Sequence, residues 1–166
     1  FIQLPIRTVD TGYGIERYAW LSQGAISGFH TVYGKLLDEI FSMAGITNLN
    51  EKLLGTVSVY SGMLSIEKAV NRLKARKIIA EKVGMDIRQL DSFLSPIENV
   101  FAVADHTKAL AFMLAEGVVP SNVREGYLAR LLIRRTYKLL KLLEIEEKLF
   151  DIVDMQIDYW STDFPH

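Results

Sequence analysis

The 166-residue sequence contains no cysteine. That removes disulfide frameworks, thiolate zinc sites and thiol nucleophiles together, and it suits a reducing compartment, so a cytoplasmic setting is expected. Histidine is scarce as well. His30, His106 and His166 lie far apart and none falls in a His-x-x-x-His or Glu-x-x-His spacing, so no metal centre is expected. No apolar run approaches the ~18 residues of a membrane span. The longest candidate, Val100 to Leu114, is interrupted by Asp105, His106 and Lys108. A membrane partner is therefore not expected, and no secretory-signal pattern occurs.

What is present points to a packed domain. The hydrophobic share is 49 % and mean hydropathy is +0.15, which argues against disorder. The net charge of −1 conceals an uneven distribution. From Pro120 to Leu142 there are six Lys/Arg against one acid, whereas Glu144 to Asp163 carries seven acids against one lysine. Two opposed fields share one chain.

Periodicity predicts an all-α fold, a helical bundle preceded by one orphan β-strand. Ile6 to Thr11 reads as the strand, with Pro5 at its start where a missing N–H is tolerated. The pattern turns helical from Ile15 to Gln23. Apolar residues at 29, 32, 33, 36, 37, 40 and 41 then form one face of a helix from Phe29 to Ala44, stopped by Gly45. Asn48 to Leu54 is at most a short helix. A long basic helix is expected from Ser65 to Val83, followed by a short one capped by Asp86 and ending at Leu94. Ser95-Pro96 is read as the start of another, reaching about Glu116. Two more are expected, Asn122 to about Leu143 and Glu146 to Trp160. The strand has no partner strand, so the chain reads as a piece of something larger, and a bare strand edge invites self-association.

The stretch "VDTGYGIER", Val9 to Arg17, spends two glycines between an aspartate and an arginine. On a strand, Asp10, Gly12 and Gly14 share a face, and glycines there let another molecule approach the backbone. Arg17 would arrive from the first helical turn, where its planar fork of donors suits a phosphate. An ordinary turn feeding a helix is the plainer reading of the same residues. Neither the dinucleotide fingerprint nor the P-loop is present.

The stretch resembles motif 3 of the class II aminoacyl-tRNA synthetases. "DTGYGIER" is similar to the alanyl version in particular, and "ADHTKALAFMLAEGVVPSNVREGYLARLLIRRT", Ala104 to Thr136, resembles the region behind the catalytic core of the archaeal-type alanyl enzymes. The resemblance implies a division into residues 1–23, the end of a class II catalytic domain, and 24–166, part of a helical tRNA-recognition domain. It implies that Arg17 and Gly14 bind ATP, with Arg17 on the phosphates. Asp10 would hold the α-amino group of alanine, beside Gly12. ATP and Mg2+ would serve the parent reaction, the joining of alanine to tRNA. Motif 1, motif 2 and the editing-domain ligands are not in the sequence, so the remainder of the catalytic domain is an expected partner and the chain alone is not expected to activate alanine.

On the helix from Asn122, Arg130, Arg134 and Lys138 recur every four residues and Lys141 follows by three, giving one basic stripe suited to a phosphate backbone. Leu128, Leu131, Leu132, Leu139 and Leu142 lie on another arc and are expected to pack inward, with Arg135 paired or snorkelling beside them. Asn122 with Glu125 is a capping-box pattern. By the resemblance, Asn122 reads the tRNA(Ala) acceptor stem near a G·U pair, while Arg124, Arg130, Arg134 and Lys138 hold neighbouring phosphates. Lys68, Arg72, Lys74, Arg76 and Lys77 form a second basic run. Tyr18, Trp20, Tyr33, Tyr127 and Trp160 are expected to be packing residues, and Asp105-His106 structural. A stand-alone RNA-binding helical module and a protein-interaction bundle are the rival readings.

Overall fold

The computed structural model describes residues 12–66 and 72–165. All regular structure among them is helical: α1 Ile15–Gln23, α2 Gly28–Met43, α3 Glu51–Ile66, α4 Arg72–Val83, α5 Ile87–Ala115 and α6 Arg124–Leu142, then one 3₁₀ turn, Glu146–Lys148, and α7 Leu149–Trp160. The expected strand Ile6 to Thr11, and Asp10 within it, lie outside the described residues.

α5 is the axis of the bundle. At 29 residues it is about 43 Å long, and α2, α4, α6 and α7 all pack on it. Its start is a true capping box: Asp86 Oδ1 accepts from the Arg88 N–H at 2.8 Å, and the Asp86 N–H donates back to Gln89 Oε1 at 3.3 Å. The helix expected to begin at Pro96 does not begin there. α5 runs straight through the proline, because Leu90 and Leu94 before it and Ile97 and Val100 after it are all buried. Burial on both sides offsets the roughly 3 kcal/mol that an interior proline costs.

α3 is also longer than its sequence suggests. Gly55 and the β-branched Thr56, Val57 and Val59 lower its propensity, yet Leu54 and Val57 are buried in the common core and hold sixteen residues helical. α2 matches its expected span and is capped by Ser27, whose Oγ accepts from the His30 N–H. Its interior is not uniform: Gly34 sits at φ +47°, ψ −125°, breaking the helix into two arms. Only glycine adopts that region readily. Tyr159 of α7 donates its phenol to the Val32 carbonyl at this break, at 3.1 Å.

A fully buried polar seam joins α5 to α7. Gln156 Nε2 donates to the Ala104 carbonyl at 2.8 Å and to Thr107 Oγ1 at 3.0 Å, while Gln156 Oε1 accepts from Trp160 Nε1 at 2.8 Å. Buried amides are tolerated when every group is matched in this way.

Candidate functional site

α1 carries the first set of predicted residues. It has no buried residue and, among the described elements, it packs on α2 alone. Glu16, Arg17 and Trp20 line one wall of a cleft of about 740 Å³ whose floor is apolar, with Phe29, Val32, Leu54, Val57, Ile97 and Phe101. Phe29 and Phe101 stack with ring centroids 4.4 Å apart. Gly14 precedes α1 as its cap, and the side chains of Glu16 and Arg17 fold back over it: a Cβ on Gly14 would lie 3.3 Å from Arg17 Nε. Gly12 has open space where a Cβ would point. Arg17 is exposed and has no partner among the described residues.

The far wall of the cleft is ionic. Arg76, 7 % exposed, pairs with Glu98 through Nη2 at 2.6 Å and lies 3.4 Å from Asp91 through Nε. The second basic run is therefore not one uniform outward stripe: Arg76 is directed into the fold, Lys74 and Lys77 are exposed, Lys74 has a partner, and Lys68 lies outside the described residues. Nearby, Tyr33 donates to Asp105 Oδ1 at 3.0 Å, and Lys108 Nζ sits 3.9 Å from the Trp160 ring centroid. Burial, then the Asp105 charge and hydrogen bond, push the Tyr33 phenol far above its ordinary range. Asp105 and His106 do not hydrogen-bond each other: Asp105 accepts from Tyr33, and the buried His106 Nδ1 has no hydrogen-bond partner among the described residues. His106 faces the field of Arg135 on α6, and burial holds its imidazole below the usual value, Arg135 adding to that and Asp105 opposing it.

The second set gathers at the start of α6. The first helical residue is Arg124 and the cap position is Val123, with no side-chain cap. The expected capping box of Asn122 and Glu125 is thus not formed. Instead Asn122 Oδ1 accepts from Arg130 Nη1 at 2.6 Å, and both residues are exposed. The loop before α6 is closed by its own backbone: the Ser121 N–H donates to the Gly126 carbonyl at 2.9 Å, and Ser121 Oγ accepts from the Val123 N–H. Gly126 makes this approach possible, since a Cβ there would collide with the Val119 carbonyl and Ser121 Oγ. Arg124 is held at φ +49°, a left-handed conformation that costs a non-glycine residue about 1 kcal/mol.

Along α6, Arg134, Lys138 and Lys141 are exposed, and none has an ion-pair partner among the described residues. The acids of α7, Asp151, Asp154 and Asp158, point to solvent. The leucine arc packs only in part: Leu139 lies against the core and Leu131 and Leu132 are half-buried. The buried seam of α6 is Gly126, Ala129, Thr136 and Leu140, while Leu128 and Leu142 are 54 % and 71 % exposed. Arg135 is exposed and has no ion-pair partner among the described residues, so of the two expected arrangements pairing is not the one found among them. Tyr33 and Trp160 pack as expected, whereas Tyr18 and Tyr127 are more than half exposed and Trp20 is over a third exposed. Periodicity ranked the leucines above Gly126, Ala129 and Thr136 because side-chain hydrophobicity does not report which face allows close helix approach.

Comparison with known proteins agrees with the residues that carry the resemblance. The alanine-tRNA ligase of Methanothermobacter thermautotrophicus is 42 % identical over 163 residues, covering 98 % of this chain and 18 % of the relative. That of Methanococcus maripaludis is 39 % identical over 163 residues, and that of Sulfurisphaera tokodaii 42 % over 165, again covering 18 % of each relative. The chain therefore spans about 18 % of the length of the curated relatives it matches. The family described as tRNA synthetases class II (A) matches residues 2–166, nearly the whole sequence, and the chain belongs to that family.

Proposed function

We propose that the chain is the junction of an alanine-tRNA ligase, in which residues 1–23 close the amino-acid and ATP site and residues 24–166 present an RNA surface. The parent reaction would attach alanine to tRNA(Ala) through an alanyl-adenylate, consuming ATP with Mg2+. In this reading Asp10 holds the alanine amino group beside Gly12, and Arg17 binds ATP phosphates above Gly14. Arg17 suits that task because it is a planar cation with no side-chain partner among the described residues, lying beside a glycine whose missing Cβ leaves room for it.

One observation carries the RNA half: Asn122 is solvent-facing at the head of a helix whose cations lack carboxylate partners among the described residues, and it is tied to one of them, Arg130. An amide held by a phosphate-binding arginine can offer hydrogen bonds to base edges in the shallow minor groove of A-form RNA. Arg124, Arg134 and Lys138 would hold the flanking phosphates. The strained φ of Arg124 supports the same reading, since such conformations gather at ligand clamps.

A filter-binding titration with a tRNA(Ala) acceptor minihelix tests this. Binding should weaken linearly in log–log plots against salt, with each phosphate contact contributing a slope of about −0.9. Binding unaffected by Asn122→Ala and by a G·U to G·C change would remove Asn122 from the reading. Indifference to RNA altogether would leave the protein-interaction bundle. For the nucleotide half, Arg17→Ala in the complete enzyme should depress ATP-dependent pyrophosphate exchange. The strand reading of Ile6 to Thr11 carries a further consequence: the full chain should self-associate more than one starting at Ile15, as light scattering would report.

A further inference from the structure

The outward face of α6 holds a line that the basic stripe alone does not describe. Residues 127, 130, 134, 137 and 141 advance by three, four, three and four, so they fall in a row along one side of the helix. They are Tyr127, Arg130, Arg134, Tyr137 and Lys141. The row is about 21 Å long. Tyr127 is 51 % exposed and Tyr137 48 % exposed, and the three cations are exposed as well. Neither phenol has a hydrogen-bond partner among the described residues. The single acid of this helix, Glu125, is not part of the row.

Two open phenols in line with three cations form a surface with a definite complement. Its charge selects a polyanion, and its length exceeds what one phosphate needs. A paired duplex offers no free base for a ring to stack on, but the shallow minor groove of A-form RNA displays ribose 2′-hydroxyls beside the phosphates. A tyrosine hydroxyl both donates and accepts, as a 2′-hydroxyl does. We propose that Tyr127 and Tyr137 hydrogen-bond ribose 2′-hydroxyls along one strand of a duplex whose phosphates are held by Arg130, Arg134 and Lys141. The row thereby distinguishes RNA from DNA without reading sequence. This rests on the RNA reading of α6 and adds the two tyrosines and Lys141 to it.

The test uses the full chain and two probes: an acceptor-stem RNA minihelix, and the same hairpin with 2′-fluoro riboses in the stem, which keeps A-form geometry but loses the hydroxyls. The chain should bind the RNA about five- to tenfold more tightly, the effect of two neutral hydrogen bonds. The double variant Tyr127→Phe/Tyr137→Phe keeps both rings and should bind the two probes equally, with the salt slope of the unsubstituted chain. Retained preference in the double variant, or no preference in the unsubstituted chain, overturns the proposal. Arg134→Ala separates its failure from that of the underlying reading. If the arginine variant lowers the salt slope while the phenylalanine variant changes nothing, only the tyrosine role falls. If neither changes anything, the RNA reading falls too and the row is assigned to protein contact.

Discussion

The seam between α5 and α7 and the outer face of α6 are both polar, and they use polarity in opposite ways. In the seam, each hydrogen-bonding group of the Gln156 amide meets a partner inside the protein: Ala104, Thr107 and Trp160. On α6, four cations in two turns, Arg134, Arg135, Lys138 and Lys141, find no carboxylate among the described residues although α7 is rich in acids. Satisfied polar groups specify the fold; unsatisfied ones on a rigid helix are available to something else. The difference separates what the chain needs in order to fold from what it retains for a partner.

Substitutions should therefore divide by region. The largest stability loss is expected for Gln156→Ala, which empties a buried site and leaves Trp160 Nε1 without its acceptor. About 3 kcal/mol should be lost, read as a lowered thermal midpoint, with the α6 face still in place. Gly126→Ala comes next, at about 2 kcal/mol, because the new methyl meets the Val119 carbonyl and Ser121 Oγ. This site bridges the two regions, so the same variant should also disturb the Asn122–Arg130 pair and weaken RNA binding.

A smaller effect is expected from pH. Burial lowers the folded-state pKa of His106, and of His30, whose neighbours Asp38 and Glu51 only partly oppose it. The unfolded chain then binds more protons, so stability is intact above the ordinary histidine value near 6.5 and declines as pH falls below it. His106→Gln should flatten part of that decline in urea titrations between about pH 7 and 5. Arg134→Ala should change stability least, within about 0.5 kcal/mol. If it instead destabilises as Gln156→Ala does, the contrast between the two regions is lost.

Much of the architecture was legible in the pattern of residues. The 15–23 helix, the Gly45 stop of α2, and the Asp86 start of α5 follow from local periodicity and capping chemistry, which operate within a few residues. α3 and the passage of α5 through Pro96 were not legible, because burial of Leu54, Val57, Leu94 and Ile97 by distant helices overrides local propensity. The site divides similarly. The partnerless cations of α6 follow from spacing and exposure, but the Asn122–Arg130 bond spans eight residues across a loop, outside any regular helical offset. The inward turn of Arg76 depends on Glu98, twenty-two residues away.

The break in α2 at Gly34 bears on how the two ends of the chain communicate. The arm before it ends in the buried Tyr33 and packs beside α1, which among the described elements contacts α2 alone; the arm after it is sunk in the core. The break itself is held by the Tyr159 phenol, from the same helix that closes the bundle behind α5. The Phe29–Phe101 stack and the Tyr33–Asp105 hydrogen bond fasten the arm before Gly34 to α5, so the seat of α1 beside the cleft is tied to two helices that stand far from it in sequence.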